Sequence, residues 1–447
     1  MQPEAALSVS AMTKQRAESP DPLEWTWVEG SVWTERMLTA LGNGVKGGKW
    51  FSLFDKVFAL RTLEAAWKRV AANRGAAGVD KMSIARFRAN VAIYLRDLSR
   101  SLRAGSYKPE AVRRVYIPKE RGKTRPLGIP TVKDRIVQAA LKMVIEPIFE
   151  REFLPSSFGF RPERGCKDAL RRVNGLLKEG YTWVVDADLK SYFDTIPHAQ
   201  LLELIKEKIS DGRVLSLIES YLEQDILDGM ERWEPVEGSP QGAVISPLLA
   251  NLYLHPLDKL MTEEGYEIVR YADDFVILCR TREEAEEALA KVAAWTKATG
   301  LTLHPDKTHI GDCEATSSGR IDFLGYTFTA GRRYVRKKSL LKIRESVRKK
   351  TRRRRNGNLE EIISDLNRTM KGWFEYFKHT NGGDFKDVDG YVRRRLRAIL
   401  RRRLKRPGLG RTYDDHKRWP NAFFAEKGLF TTYEAKLEAS QSQKRTR

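Results

Sequence analysis

Apolar side chains between residues 359 and 377 recur at helical spacing, so they would share one face of a helix. These side chains are Leu359, Ile362, Ile363, Leu366, Met370, Trp373, Phe374 and Phe377. A second, narrower apolar stripe starts near Val392, and Pro407 with Gly408 would end that helix. The pattern predicts a small helical module whose helices pack through their apolar faces.

In residues 111–330 short β-rich runs alternate with helical patterns, which predicts a domain of mixed helices and sheet. The predicted strands are residues 112–117, 182–189, 266–270, 274–279 and 323–328. The predicted helices are residues 133–150, 198–209, 248–262 and 282–299. Residues 51–110 predict further helices, and residues 1–50 predict an extension that docks on the body or on a partner.

The composition is that of a soluble globular protein with two or three domains, since 41% of the 447 residues are hydrophobic and 31% are charged. No apolar run reaches the length of about 18 residues that a membrane span needs. The polar N-terminus gives no sign of a secretory signal. Three scattered cysteines, Cys166, Cys279 and Cys313, favour a reducing compartment over a disulfide framework or a zinc cluster.

The net charge of +22 is concentrated near the C-terminus. Residues 332–355 contain 14 Lys or Arg and one acid, whereas residues 393–406 contain 9 and no acid. Such a concentration favours binding of a polyanion, usually nucleic acid, although a solvated, self-repelling surface is the alternative. The arginines predicted to bind RNA are Arg352, Arg353, Arg354, Arg355, Arg393, Arg394, Arg395, Arg397, Arg401 and Arg402.

Two segments place acidic residues at the ends of apolar β-forming runs. Residues 269–275 predict a hairpin whose turn carries Asp273 and Asp274, and a buried-type strand ends at Asp188, with Asp186 on the same face. Adjacent like charges repel each other, so such acids are usually kept for a divalent cation. If the segments converge, their carboxylates form an oxygen cage for two Mg²⁺ ions that would serve phosphoryl transfer. Ordinary turn acids are the alternative.

These segments belong to an ordered series of motifs over about residues 50–430 that resembles the reverse transcriptases encoded by bacterial group II introns, also called maturases. The motifs that carry the resemblance are Gly75-Ala-Ala-Gly-Val-Asp80, Tyr116-Ile-Pro-Lys119, Arg125-Pro-Leu-Gly-Ile-Pro130, Phe158-Gly-Phe-Arg161, Asp188-Leu-Lys-Ser-Tyr-Phe193-Asp194, Gly238-Ser-Pro-Gln241-Gly242, Tyr271-Ala-Asp-Asp274, Gly300-Leu-Thr-Leu-His-Pro-Asp-Lys307, Phe323-Leu-Gly325 and Leu366-Asn-Arg-Thr-Met-Lys-Gly-Trp373.

The resemblance implies that Asp188, Asp273 and Asp274 are the catalytic residues and hold two Mg²⁺ ions. It also implies a set of nucleotide-binding residues, namely Lys119, Arg125, Phe193, Gln241, Gly242 and Lys307.

Each nucleotide-binding residue would have a distinct part. Lys119 and Arg125 would clamp the triphosphate, which suits their cationic side chains, although solvated basic residues in a finger loop are the alternative. Phe193 would exclude a ribose 2′-hydroxyl, with core packing as the alternative. The loop of Gln241 and Gly242 would lie against the nucleotide, and it is otherwise an ordinary turn before a helix. Lys307 would help to position the nucleotide unless it is a plain surface lysine.

The expected fold is an α+β right-hand polymerase with fingers, palm and a C-terminal helical thumb. The expected domains are an N-terminal extension over residues 1–50, reverse transcriptase fingers and palm over 51–330, a helical thumb or maturase domain over 331–406, and a short DNA-binding or docking tail over 407–447. No Cys/His endonuclease module is expected, because every cysteine precedes residue 314. Ala243 departs from the family pattern, since many members have a glycine there; a negative φ would tolerate the change.

The expected function is RNA-directed DNA synthesis by a group II intron protein that also binds its intron RNA, assists splicing and supports target-primed reverse transcription during retrohoming. The expected partners are the intron RNA, an RNA template with a DNA primer, target DNA and dNTPs, and no membrane. The expected location is the bacterial cytoplasm, as a ribonucleoprotein that associates with the nucleoid. The alternatives are a domesticated reverse transcriptase in defence or repair, an RNA-binding splicing factor with a silent polymerase site, and an RNA-dependent RNA polymerase.

Overall fold

The computed structural model describes residues 25–118, 124–314, 319–329, 332–381 and 383–445. The α-helices in these ranges are α1 (Glu35–Asn43), α2 (Phe54–Val57), α3 (Leu60–Ala72), α4 (Ile84–Ala89), α5 (Val91–Ala104), α6 (Val132–Glu150), α7 (Cys166–Lys178), α8 (His198–Lys206), α9 (Gly212–Leu222), α10 (Ser246–Glu263), α11 (Arg282–Ala298), α12 (Lys337–Lys350), α13 (Leu359–Phe377), α14 (Asp384–Arg403), α15 (Tyr413–Arg418), α16 (Asn421–Glu426) and α17 (Thr432–Arg445). Across these ranges no helix combines the length and the apolar character that a bilayer crossing needs.

The strands of the described residues form three sheets. They are β1 (Val112–Pro118), β2 (Thr124–Ile129), β3 (Trp183–Asp188), β4 (Ile226–Asp228), β5 (Glu231–Trp233), β6 (Glu267–Tyr271), β7 (Asp274–Cys279), β8 (His309–Asp312), β9 (Ile321–Phe323), β10 (Tyr326–Thr329) and β11 (Arg332–Val335). The strand orders are β2-β1-β4-β5, β6-β7-β3-β8 and β11-β10-β9. The fold is therefore a mixture of helices and sheets with a helical C-terminal region, as predicted.

Side-chain caps fix the starts of several long helices. The Thr131 side chain accepts a hydrogen bond from the first turn of α6, and Thr281 does the same for α11. Asn358 and Glu361 form a capping box at the start of α13, so two backbone N–H groups without helical partners are satisfied there. These caps explain why the helices begin within a few residues of the predicted limits.

The chain divides into two compact units. The first unit consists of Met1–Phe153 and Phe193–Tyr253, and the second consists of Leu154–Tyr192 and Leu254–Arg447. The predicted limits of the extension, fingers and palm, thumb and tail remain predictions.

The first unit is built around α6 and the sheet β2-β1-β4-β5. Helix α6 is buried on almost every face, which is typical of a helix in the middle of a core. Strand β1 pairs with β2 in an antiparallel hairpin and with β4 in parallel. The indole N–H of Trp33, 1% exposed, donates to the carbonyl of Met143 at 3.0 Å. The part of the predicted extension around Trp33 is thus packed into this unit.

The second unit contains the sheet β6-β7-β3-β8, in which β3 lies between β7 and β8 and every pairing is antiparallel. Helices α7 and α11 pack on this sheet. Apolar side chains such as Val184, Val276 and Leu278 form its buried face. This arrangement holds the ends of β3 and β7, where the predicted carboxylates lie, on a buried support.

The single strand predicted over residues 323–328 is wrong, because the chain turns back in its middle. Leu324 and Gly325 have φ values of +46° and +83°, which make a tight turn between β9 and β10. Leu324 is a poor indicator of such a turn, so the apolar run around it reads as one continuous strand.

The C-terminal helices α12, α13 and α14 pack around a common apolar core. The apolar face predicted for α13 is buried, with the exception of a partly exposed Trp373. Helix α14 begins at Asp384 rather than near Val392, and it continues through the exposed Gly390. The carboxylate of Asp389 accepts hydrogen bonds from the backbone of Thr432 at 3.0 Å and of the next residue at 2.9 Å, so it fixes the start of α17.

Candidate active site

The predicted hairpin is present, and its turn places an aspartate at the end of the sheet. Strands β6 and β7 pair from Tyr271 with Asp274, so that Ala272 and Asp273 form a two-residue turn. Ala272 has a φ of +59°, a backbone conformation that few side chains adopt. The turn therefore presents two neighbouring carboxylates at one end of the sheet.

A second loop packs on this turn at Gly159. A Cβ atom at Gly159 would collide with the backbone nitrogen of Ala272, so only glycine fits. The N–H of Phe158 also donates to the carbonyl of Arg270 at 2.8 Å. The guanidinium of Arg270 is fully buried and forms an ion pair with Asp258 at 2.5 Å. The loop and the ion pair together fix the backbone that carries the turn.

The register of the sheet brings the third predicted carboxylate to the same place. Strand β3 pairs antiparallel with β7, and Asp188 lies directly opposite Asp274. Directly opposed residues in an antiparallel pair have Cα atoms about 4.5–5.5 Å apart. Asp188, at the end of β3, is thus a neighbour of the turn that carries Asp273.

The pKa of Asp274 is raised to about 7, first by burial and then by three neighbouring carboxylates. Those carboxylates belong to Asp186, Asp273 and Asp188, and the guanidinium of Arg336 acts in the opposite direction. Negative charge is therefore crowded into a space with little solvent, which a cation would relieve.

Asp186 is a fourth member of this cluster, to which sequence reasoning gave no part beyond a shared strand face. Burial raises its pKa to about 6, and the nearby charges of His309 and Arg336 lower it in part. Arg336 also forms an ion pair with Asp322 at 2.8 Å. His309 and Arg336 lie more than 100 residues from Asp186 in sequence. The alternation of side chains along β3 therefore could not reveal them.

Lys307 lies at the carboxylate cluster. Its ammonium group forms an ion pair with Asp188. The segment before it runs beside the end of β3, since the N–H of His304 donates to the carbonyl of Asp188 at 2.7 Å. The side chain predicted to position the nucleotide thus contacts a predicted catalytic carboxylate.

The residues of the cluster fit divalent metal ions by the chemistry of their donors. Within the described ranges, no three His, Cys, Asp or Glu side chains are already arranged around one point as metal ligands. The ligands available are nevertheless carboxylate oxygens, which Mg²⁺ prefers, and burial together with their crowding raises the pKa of Asp274. Asp188, Asp273 and Asp274 are the residues that could hold such ions.

In the first unit, Gln241 connects two of the predicted motifs. Its side-chain carbonyl accepts a hydrogen bond from Arg125 Nε at 2.7 Å. Its side-chain amide donates to Asp194 Oδ2 at 3.1 Å. The two contacts together fix which end of the amide points to which partner. The part played by Asp194 could not be assigned from sequence, although this residue lies in a quoted motif.

The loop that carries Gln241 is held from three sides. The backbone carbonyl of Gln241 accepts a hydrogen bond from the N–H of Gly128 at 2.7 Å. A Cβ atom at Gly242, where φ is +111°, would lie 2.5 Å from the Gly128 oxygen. The N–H of Val244 donates to Gln138 Oε1 at 2.7 Å. Ala243, where many members of the resembled family have a second glycine, is not among the residues with a positive φ, so its backbone conformation suits alanine.

A pocket of about 280 Å³ lies beside this loop, within the first unit. Its polar lining includes Arg114, Asp194, Glu237 and Gln241, and Trp233 lies among the apolar residues. The pocket places the Gln241 side chain at an accessible surface, where it could contact a ligand.

Two other predicted nucleotide contacts have different outcomes. Phe193 is 8% exposed, and its carbonyl accepts from the N–H of Ser239 at 2.6 Å. Burial of the ring is compatible with contact to a sugar and with core packing, so both interpretations remain. Lys119 lies outside the described residues.

Of the ten arginines predicted to bind RNA, eight fall into two groups, and the other two, Arg393 and Arg394, are half-buried on α14. Arg352, Arg354 and Arg402 are exposed. Five others contact the helical module itself: Arg353 donates to Gly408, Arg355 to Asp365, Arg395 to Thr351, Arg397 to Trp419 and Arg401 to Asp415. The sequence alone cannot distinguish the exposed arginines from those with internal partners, because most of the hydrogen-bond partners lie more than ten residues away.

Comparison with known proteins identifies two adjacent family domains. Residues 117–328 match the family described as reverse transcriptase (RNA-dependent DNA polymerase). Residues 340–419 match the family described as group II intron, maturase-specific domain. The first match contains the carboxylate cluster, and the second contains most of the C-terminal helical module.

The relatives agree with these matches. Protein YkfC of Escherichia coli is 36% identical over 305 residues, which cover 59% of this chain and 76% of YkfC. The group II intron-encoded protein LtrA of Lactococcus lactis is 41% identical over 170 residues, which cover 38% of this chain and 28% of LtrA. A solved partial Cas6-RT-Cas1--Cas2 complex is 25% identical over 55% of this chain and 42% of that chain, with a TM-score of 0.36. The chain therefore belongs to the reverse transcriptase family of group II introns, with a polymerase domain followed by a maturase-specific domain.

Proposed function

We propose that the chain extends a DNA primer on an RNA template, with two Mg²⁺ ions held by Asp188, Asp273 and Asp274. Reverse transcriptases as a family use divalent metal ions. The observation that carries the proposal is the register of β3 and β7, which sets Asp188 opposite Asp274 and beside the turn that holds Asp273.

The bound ions would activate the primer 3′-hydroxyl and stabilise the leaving pyrophosphate. The protein's own contribution is to hold three carboxylates together against their mutual repulsion. The ion pair of Lys307 with Asp188 keeps an ammonium group at the cluster, where it could contact a phosphate oxygen of the nucleotide. The raised pKa of Asp274 implies that a proton competes for this carboxylate near neutral pH.

In the first unit, Arg125 would bind a nucleotide phosphate and Gln241 would orient it. The hydrogen bond between these two side chains supports the proposal, since Gln241 holds the guanidinium of Arg125 in one direction. Phe193 would exclude the 2′-hydroxyl of a ribonucleotide, which makes DNA the product. Gly242 would let the loop backbone approach its neighbours, and Lys119 would join Arg125 at the triphosphate.

The second proposed role is binding of the chain's own intron RNA, with assistance to splicing and to target-primed reverse transcription at target DNA. The match to the maturase-specific domain and the exposed arginines of the helical module support this role. RNA bound through phosphates is released steeply by salt, because each contact displaces counterions. We propose that the protein acts as a ribonucleoprotein in the bacterial cytoplasm and at the nucleoid.

Extension of a DNA primer annealed to an RNA template tests the polymerase proposal directly. We expect Asp273→Asn to slow extension by about a hundredfold or more, since it removes a charged metal ligand. Asp97→Asn, an exposed change on α5, is the matched control and should extend like the unsubstituted chain.

A protein with a silent polymerase site would bind RNA without extending any primer. That result, or equal extension by Asp273→Asn and the unsubstituted chain, would contradict the polymerase proposal. Sequencing of the RNA that copurifies with the chain would then distinguish a dedicated intron partner from a domesticated role with other RNAs.

A further inference from the structure

A pocket of about 280 Å³ lies within the C-terminal helical module, between α14 and the segment that follows it. Its lining residues are Gly390, Arg393, Arg394, Arg397, Gly410, Arg411, His416 and Asn421. Half of them are arginines and none is acidic, so the pocket is strongly electropositive. A cleft of this size is near the lower end of the range of about 300–1,000 Å³ for ligand sites, which suits one nucleotide better than a duplex.

Arg397 forms a fixed, charged part of the pocket. Its side chain is 2% exposed, and it donates to the carbonyl of Trp419 at 2.9 Å and to Asn421 Oδ1 at 3.0 Å. Both acceptors are neutral. Burial and the charge of Arg393 lower the pKa of Arg397, so its charge is poorly compensated in the protein. The carboxylate of Asp415 raises the pKa of Arg397, but it forms its own ion pair with Arg401 at 2.6 Å.

Two glycines shape the pocket. A Cβ atom at Gly410, where φ is +72°, would lie 2.7 Å from Arg397 Cβ, so the segment after α14 rests directly on the helix. Gly390 is different, because it lies inside α14 and a Cβ atom there would meet nothing within 4 Å. Gly390 therefore leaves space at the pocket, although alanine would form a better helix.

We propose that this pocket binds one phosphate group of an RNA strand together with its nucleoside. Arginine side chains suit phosphate because they donate paired, charge-assisted hydrogen bonds. In the described part of the chain, no carboxylate hydrogen-bonds to Arg393, Arg394 or Arg411. Arg394 lies over the Tyr391 ring at 5.0 Å and the charge of Arg393 acts on Asp389, but the N–H groups of all three remain donors for an anion. His416 and Asn421 supply polar groups for the sugar or base.

The proposal rests on the proposed binding of RNA by this module and specifies where one nucleotide is held. The phosphate could be a terminal 5′-monophosphate or an internal phosphodiester. Both share the same chemistry, and a pair of RNA probes separates them.

The test uses the full chain and a short single-stranded RNA with a 3′ fluorophore, prepared with either a 5′-monophosphate or a 5′-hydroxyl. Gly390→Leu fills the pocket without changing its charge, and Arg411→Ala removes an exposed guanidinium. We expect each to weaken RNA binding by about tenfold, the size of one strong phosphate contact. The matched controls are Gly372→Leu, at an exposed helical glycine with equally open space, and Arg61→Ala, at an exposed arginine of α3 outside the C-terminal basic segments.

The controls should change affinity by less than about twofold, because diffuse surface charge contributes little per residue. A loss confined to the 5′-monophosphate probe assigns the pocket to a terminal phosphate, whereas equal losses with both probes assign it to an internal phosphodiester. If Gly390→Leu and Arg411→Ala bind like their controls, the pocket proposal is overturned while RNA binding stands. If the unsubstituted chain binds neither probe, both proposals fail together.

Discussion

The raised pKa of Asp274 predicts that the metal requirement of primer extension depends on pH. An ordinary aspartate has a pKa of 3.8, and in this site the pKa is about 7. Below pH 7 the carboxyl holds a proton that a metal ion must displace. Displacement of one proton weakens apparent metal binding about tenfold for each pH unit. Because half of the carboxyl is already ionised at pH 7, we expect about five times more Mg²⁺ for half-maximal extension at pH 6 than at pH 7, and little change above pH 8.

The raised pKa of Asp274 also determines the direction in which folding stability changes with pH. Because the folded state binds this proton more tightly than a free carboxyl does, its stabilising contribution is complete below the unfolded pKa of about 3.8. That contribution is lost as the pH rises through about 7. Without divalent ions the second unit should thus become less stable from pH 5 to pH 8, and Mg²⁺ should restore stability at pH 8.

Burial is the largest cause of the raised pKa of Asp274, and Asp186→Asn isolates the contribution of the neighbouring negative charge. Asp186 is the first of the neighbouring charges that raise the pKa of Asp274, and it is not among the proposed metal ligands. Removal of the Asp186 charge should lower the pH at which the Mg²⁺ requirement begins to rise, so that less Mg²⁺ is needed at pH 6. The assay is primer extension over a Mg²⁺ series from pH 6 to pH 8.5, with Asp97→Asn as control. A metal requirement that stays flat from pH 6 to pH 8, or an upward shift in Asp186→Asn, would refute this reasoning.

Three further predictions concern other parts of the chain. Asp194→Ala removes the carboxylate that accepts from the Gln241 amide, so we expect the KM for dNTPs to rise about fivefold with little change in kcat, and an unchanged KM would remove Asp194 from nucleotide positioning. Phe193→Val should raise ribonucleotide incorporation in single-nucleotide extension, whereas no change would favour core packing of the ring. Asp389→Ala removes the buried carboxylate that caps α17, so the free energy of urea unfolding should fall by about 2 kcal/mol; exposed Asp387→Ala is the control, and equal stability of the two variants would contradict the capping role.

The hairpin that carries Asp273 and Asp274 could be predicted because its information is local. Apolar β-formers flank Asp273 and Asp274, and a two-residue turn between such runs has few alternatives. The position of Asp188 opposite Asp274 could be expected only through the family resemblance, since sheet register is a long-range property. The contribution of Asp186 to the carboxylate cluster could not be predicted, because its pKa depends on burial and on partners that are distant in sequence.

The basic segments show a different limit. Sequence correctly indicates where charge is concentrated, but it does not show which guanidinium groups have internal partners. Arg395 donates to Thr351 and Arg401 contacts Asp415, and both contacts depend on how α14 packs in the module. The turn at Leu324 was missed for a related reason, because an apolar residue with positive φ is uncommon.

The collision that any side chain at Gly159 would cause with Ala272 has a consequence for directed evolution of this enzyme. Libraries that diversify position 159 should return glycine almost alone, since every larger residue must push the carboxylate-bearing loop out of place. Attempts to alter metal preference or fidelity have more freedom at Lys307, whose side chain is largely solvent-exposed and forms an ion pair with Asp188.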